Sequence, residues 1–171
     1  MAAVMRLLFL ALLIATPAVA APADPAQACK DALSGLATPR FVSLKPGKAF
    51  VRAGPGDQYP VLWVYVRRGL PLEVLKEYCI WRQVRDESGQ VGWINKSLLQ
   101  PDRLALVTRG VRTLYSRPDL ASPPVYRIEA GALVGLTLCE GEWCRVARGG
   151  KGGYILRAQL WGTYPNERIE G

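Results

Sequence analysis

The strongest constraint on the fold is an internal repeat. Residues 41–56, FVSLKPGKAFVRAGPG, align without a gap on residues 104–119, LALVTRGVRTLYSRPD. Gly47 falls on Gly110, Val51 on Leu114 and Pro55 on Pro118. After one gap Gly69 falls on Gly131, Trp81 on Trp143 and Val84 on Val146. After a second, Gly92-Trp93-Ile94 falls on Gly153-Tyr154-Ile155 and Leu99 on Leu160. The matches are glycine, proline, aromatic and apolar positions in one order, with a period of about 62 residues. Length alone would favour one domain. The repeat favours two small ones, over residues 41–100 and 104–162, joined by the short Gln100-Pro101-Asp102-Arg103.

Each unit reads as short strands. Val61 to Val66 is β-branched and aromatic and ends at Arg67-Arg68-Gly69. Leu72-Glu73-Val74 and Trp81-Arg82-Gln83-Val84-Arg85 alternate apolar and polar. Asp86-Glu87-Ser88-Gly89 is a turn leading to Val91-Gly92-Trp93-Ile94. Asn95 to Leu99 predicts a single 3₁₀ turn. Five short strands with tight turns in so few residues predict a small all-β barrel, twice over.

The stretch VRAGPGDQYP, residues 51–60, has the glycines of a phosphate cradle but not its context. Such a cradle needs a helix N-terminus aiming N–H groups at the anion. Here Asp57-Gln58-Tyr59-Pro60 leads straight into a β run, and the second copy has Ser116-Arg117-Pro118-Asp119 instead. Gly54-Pro55-Gly56 therefore reads as a reversal, with Pro presetting φ and Gly allowing positive φ.

VRAGPGDQYPVL, RRGLPLEVL, WRQV and GWI, in that order and spacing, resemble the bacterial SH3 domain, and WCRV with GGYI in the second half resembles a diverged copy. The resemblance covers residues 41–162. It implies two tandem SH3-like β-barrels in an exported binding module of the bacterial envelope, taking cell-wall peptides or protein partners. It implies nothing about catalysis. The second copy departs from the pattern at the R-x-G-P-G element.

The N-terminus agrees with export. Arg6, the apolar run Leu7–Ile14 and the small triplet Ala18-Val19-Ala20 form a signal peptide over residues 1–20, with cleavage expected after Ala20. The apolar run is too short to span a bilayer, so no stable membrane insertion is expected after cleavage, and the protein should be periplasmic or secreted. Residues 21–40 form an N-terminal segment and 163–171 a polar tail, expected to be loose. The net charge is +8, spread evenly: residues 41–100 and residues 101–162 each carry nine Lys/Arg and five Asp/Glu. A nucleic-acid reader concentrates its charge in a stripe, so no nucleic-acid partner is expected.

There is no histidine. That excludes Ser-His-Asp hydrolysis, Cys-His proteolysis and His-ligated zinc hydrolysis. Asp57, Glu73, Glu77, Asp86 and Glu129 are too dispersed to argue for a carboxylate-only glycoside hydrolase. No enzyme activity is expected, and no metal, nucleotide or other cofactor.

Four cysteines in an exported chain predict two disulfides, with three possible pairings. Cys139 and Cys144 flank a predicted hairpin turn, within bridging reach. Closing so short a loop is worth roughly 2 kcal/mol. That leaves Cys29 with Cys79, a bridge worth roughly 4 kcal/mol that would pin the N-terminal segment to the first barrel. The C-x4-C spacing is neither that of a redox motif nor of zinc knuckles. The repeat places Glu77 on Cys139 and Arg82 on Cys144, so the first barrel is expected to hold the same hairpin with a surface ion pair.

Trp81, Trp143, Trp93 and Tyr154 sit at repeat-matched positions and read as core or rim packing. The candidate ligand-binding residues are Arg52, Asp57 and Tyr59, on the long loop beside which the resemblance implies peptide binding. Arg52 would pair with a peptide carboxylate and Tyr59 would supply an aromatic wall.

Overall fold

The computed structural model describes residues 25–170. The expected signal peptide lies outside the described residues. A short helix, α1 (Pro25–Asp31), is followed by seven strands: β1 (Arg40–Leu44), β2 (Ala49–Arg52), β3 (Val61–Tyr65), β4 (Pro71–Tyr78), β5 (Trp81–Arg85), β6 (Val91–Asn95) and β7 (Leu99–Gln100). Seven more build the second unit: β8 (Leu104–Val107), β9 (Arg112–Tyr115), β10 (Pro124–Ile128), β11 (Leu133–Glu140), β12 (Trp143–Arg148), β13 (Lys151–Leu156) and β14 (Leu160–Trp161). A final strand, β15 (Ile169–Glu170), pairs with β11.

The first sheet runs β3-β2-β6-β5-β4-β1-β7 and the second β10-β9-β13-β12-β11-β8-β14. The order is the same, strand for strand. All neighbours that pair do so antiparallel. There are seven strands per unit rather than five, because the arms of the long loop pair as β2 and β3, and the chain closes on β1 with two residues of β7.

Each sheet wraps its own core, and the repeat-matched residues fill matching places. Leu44, Val51, Leu72, Val74, Val84 and Ile94 form the first core. Val107, Leu114, Val134, Leu136, Val146 and Ile155 form the second. Each buried aliphatic side chain of this size is worth roughly 2 kcal/mol, and alternation along each strand points it inward. The expected single turn is a 3₁₀ helix at Lys96–Leu98, capped by the Asn95 side chain, which accepts from the Ser97 N–H at 3.0 Å. Its counterpart is Arg157–Gln159.

The barrels abut, as the short join required. Phe41 of β1, 7% exposed, meets Trp161 edge-on at 5.2 Å and Tyr164 at 4.8 Å between ring centroids. The Tyr164 hydroxyl donates to Glu73 Oε1 at 2.8 Å, and Arg85 Nε donates to Glu73 Oε2 at 2.8 Å. Burial pushes the Tyr164 hydroxyl well above the ordinary phenol range, and its bond to Glu73 pushes the same way. Gly69 holds φ +79°, and a Cβ there would stand 2.8 Å from Leu104 Cδ1 of the second barrel. Glycine is favoured at this position by its positive φ, and a Cβ there would also displace the end of the Leu104 side chain.

The C-terminal tail is not loose. Ile169 is buried opposite Cys139 in β11. Glu167 pairs with Arg103 at 2.6 Å and accepts from the Tyr164 N–H at 3.0 Å. Its polar composition concealed one buried isoleucine and one well-placed carboxylate.

Candidate functional site

The two barrels differ most at the hairpin joining β4 to β5 and its counterpart joining β11 to β12. Both close with two-residue turns, between Tyr78 and Trp81 and between Glu140 and Trp143. Both hold the first turn residue left-handed, Cys79 at φ 47° and Gly141 at φ 53°. Directly behind each turn sits a matched cross-strand pair: Glu77 opposite Arg82 in one, Cys139 opposite Cys144 in the other.

In the second barrel that pair is a disulfide with Cα atoms 4.1 Å apart. In the first it is an ion pair, with Arg82 Nε 3.1 Å from Glu77 Oε1. The pair is not on the surface. The Arg82 side chain is 3% exposed and the Glu77 side chain 9%, because the N-terminal segment lies across them. Ser34 donates to Glu77 from its N–H at 2.7 Å and from its hydroxyl at 2.6 Å, and Arg40 Nη2 donates to Glu77 Oε1. Arg82 donates to the carbonyls of Cys79, Trp81 and Ala32. Burial alone would raise the Glu77 carboxyl, but the Ser34 bonds, Arg40 and the charge of Arg82 hold it down at about 2. The Cys29–Cys79 disulfide, Cα atoms 4.2 Å apart, clamps the segment in place. Both disulfides are those expected from the sequence.

The candidate residues of the long loop are brought together, in a supporting arrangement. Arg52 Nη1 donates to the carbonyls of Asp57 at 3.0 Å and Tyr59 at 2.9 Å, and Nη2 lies 3.2 Å from Asp57 Oδ1. Arg52 thus holds the loop shut, and its charge is met within the loop. Tyr59 is 40% exposed. Neither Gly54 nor Gly56 adopts positive φ. The need for glycine at Gly54 is spatial: a Cβ there would overlap the Tyr59 ring. No helix follows the loop, so it is a reversal and not a phosphate cradle.

The second barrel carries an open cleft of about 460 Å³ beside the disulfide-closed turn. Trp143 and Tyr154 form aromatic walls, Pro118 and Leu138 complete the apolar surface, and Glu140 and Glu142 stand at the turn. Tyr115 packs edge-on against Trp143 at 5.9 Å. In the first barrel the same strand position belongs to Arg52, paired across to Trp93 as Tyr115 pairs to Tyr154. Glu140 and Glu142 fall on Tyr78 and Ile80 in the repeat, so one turn is acidic and the other apolar. Reading only the loop missed this. The signal was present in the same alignment, as a change of charge between matched turns.

Other features carry less. A groove of about 570 Å³ beside the N-terminal segment is lined by Leu36, Val42, Ile80 and Leu99 with Arg40, Arg82 and Lys96, and Lys96 Nζ donates to the Ala32 carbonyl at 2.9 Å. Among the described residues, no group of three or more His, Cys, Asp or Glu could hold a metal ion.

Two tandem barrels of identical strand order, each with a long loop and a two-residue hairpin turn, define a double SH3-type β-barrel protein. The model of the bacterial SH3 domain matches residues 45–101 and 111–162, and the chain belongs to that family. The search of curated proteins finds no match. Among solved structures, NlpC2 from Trichomonas vaginalis is 19% identical with a TM-score of 0.35, over 72% of this chain and 48% of that one. NlpC1 from the same organism is 18% identical with a TM-score of 0.35, over 75% and 48%. An NlpC/P60 family protein from Bacillus cereus is 12% identical with a TM-score of 0.33, over 71% and 55%. The chain spans about half the length of these proteins. Two disulfides, with membership of this family, indicate an extracytoplasmic protein.

Proposed function

We propose that the protein is an exported, non-enzymatic binding module that recognises cell-wall peptide, with the second barrel supplying the binding groove. The observation that carries this reading is the cleft between Pro118, Trp143 and Tyr154. It is open, aromatic and walled by a turn that a disulfide holds fixed. A rigid aromatic wall binds a flexible peptide with little further ordering cost. The absence of histidine supports a binding role over hydrolysis. On this reading the first barrel is a scaffold, since its loop cation is already engaged by its own loop.

The test is co-sedimentation of the full chain, expressed for export so that processing and oxidation occur in the cell, with purified peptidoglycan sacculi at two salt concentrations. Binding that survives the higher salt is expected. Binding that vanishes with modest salt would reduce the interaction to the attraction of a basic protein for an anionic surface. A protein partner in the same compartment is the second reading. The exposed Val61, Leu62 and Val66, on and beside the edge strand β3, favour it.

A further inference from the structure

The cleft on the second barrel carries a charge that the rest of the molecule does not predict. The protein is strongly basic, and most of its carboxylates are engaged. Asp57, Glu73, Glu77, Glu167 and Glu170 are ion-paired. Asp31, Asp86, Asp102 and Asp119 accept hydrogen bonds. Among the described residues, four acidic side chains have neither kind of partner: Glu87, Glu129, Glu140 and Glu142. Two of those four stand on one turn, at the mouth of one aromatic cleft. No lysine or arginine lines that cleft.

The turn is also fixed in position. The Cys139–Cys144 bridge closes it from behind. The Gly141 carbonyl accepts from Arg157 Nε at 2.8 Å, and the Glu142 carbonyl accepts from the Arg157 N–H at 2.7 Å. Arg157 Nη1 donates to Thr163 Oγ1 at 2.7 Å and to the Tyr164 carbonyl at 2.8 Å, so Arg157 ties the turn to the tail and bonds neither carboxylate. Trp143 follows the turn directly and shows an aromatic surface next to the acids. Carboxylates and an aromatic face around one space attract the same kind of group, a cation. The groove-side residues of the first barrel reverse this: Arg52 replaces Tyr115, Lys76 replaces Leu138, and Tyr78 and Ile80 replace the acids.

We infer that the second barrel selects ligands bearing a free primary amine, seated against Trp143 and Tyr154 and paired with Glu140 and Glu142. This rests on the proposed reading that the ligand is a wall peptide, whose side-chain amine would be the group recognised.

The experiment compares native sacculi, sacculi whose amines have been N-acetylated, and glycan strands stripped of peptide by an amidase. Each is tested against the wild type, Glu140→Gln/Glu142→Gln and Glu87→Gln/Glu129→Gln. The last variant removes the same charge from the two other unpaired acids. Wild type should bind native sacculi, bind acetylated sacculi about tenfold more weakly, and not bind stripped glycan. Glu140→Gln/Glu142→Gln should show the same tenfold loss on native sacculi and no further loss on acetylation. Glu87→Gln/Glu129→Gln should behave as wild type. Equal binding to native and acetylated sacculi overturns the amine inference and leaves the wall reading standing. Retained binding to stripped glycan places the amine on the sugar and overturns the peptide assignment. Equal losses in both double variants reduce the effect to net charge and also overturn the inference. No binding to any sacculi overturns the wall reading and this inference with it.

Discussion

The two barrels face one structural problem with two chemistries. Behind the hairpin turn of each is a buried cross-strand pair with an appended segment packed against it. In the second barrel the segment is the C-terminal tail, whose β15 pairs with β11 and sets Ile169 beside Cys139 of the disulfide. In the first the segment is N-terminal, and the pair is Glu77 and Arg82 with every polar atom engaged by Ser34, Arg40 and backbone carbonyls. A covalent bond needs nothing from its surroundings. A buried ion pair needs its whole cage. The first barrel therefore depends on its segment staying closed, and the second leaves Glu140, Gly141 and Glu142 of its turn exposed.

Four substitutions separate these solutions, in decreasing order of effect. Cys29→Ser/Cys79→Ser should cost about 4 kcal/mol by urea unfolding, since it frees the longest closed loop. Glu77→Ala should cost about 3 kcal/mol, because it strands Arg82 in the interior. The two should combine less than additively, as they disrupt one cage. Cys139→Ser/Cys144→Ser should cost about 2 kcal/mol and add fully to Glu77→Ala, being in a separate barrel. Full additivity of the first two would break the claim that the segment and the ion pair are one unit. Gly141→Ala should cost about 1 kcal/mol, from its left-handed backbone alone, since a Cβ there meets nothing within 4 Å.

Acid sharpens the same contrast. The folded-state value for Glu77, about 2, lies below its ordinary value of 4.5. Its contribution is therefore complete above about pH 4.5 and is lost as pH falls toward about 2. Glu77→Gln should lower stability at neutral pH and flatten that part of the acid limb, read by unfolding at a series of pH values. An acid limb identical to wild type would mean that the carboxylate gains nothing from its cage.

Much of this was legible in the sequence because it is periodic. The repeat placed Val51, Val84 and Ile94 with their partners, fixed the hairpin register, and put Glu77 opposite Arg82. Both disulfides followed from the hairpin and elimination. What escaped was aperiodic. Nothing in residues 25–39 announces that Ser34 and Ala32 will roof an ion pair, so a buried pair read as a surface one. The tail read as loose because a single Ile169 has no period. Arg52 looks in sequence like a free cation, because a side chain that bonds its own loop carbonyls is indistinguishable there from one that bonds a ligand. The acidic turn was visible as a charge change between matched positions, but only where the two barrels are compared turn by turn.

The most direct test of the division between scaffold and binding barrel is to map, residue by residue, the amide shifts of the isotope-labelled protein on titration with soluble peptide released from peptidoglycan by an amidase. The account predicts saturable shifts centred on Glu140, Glu142, Trp143 and Tyr154, with the first barrel unperturbed. Shifts centred on Arg52, Asp57 and Tyr59 would contradict it and move the binding site to the long loop of the first barrel.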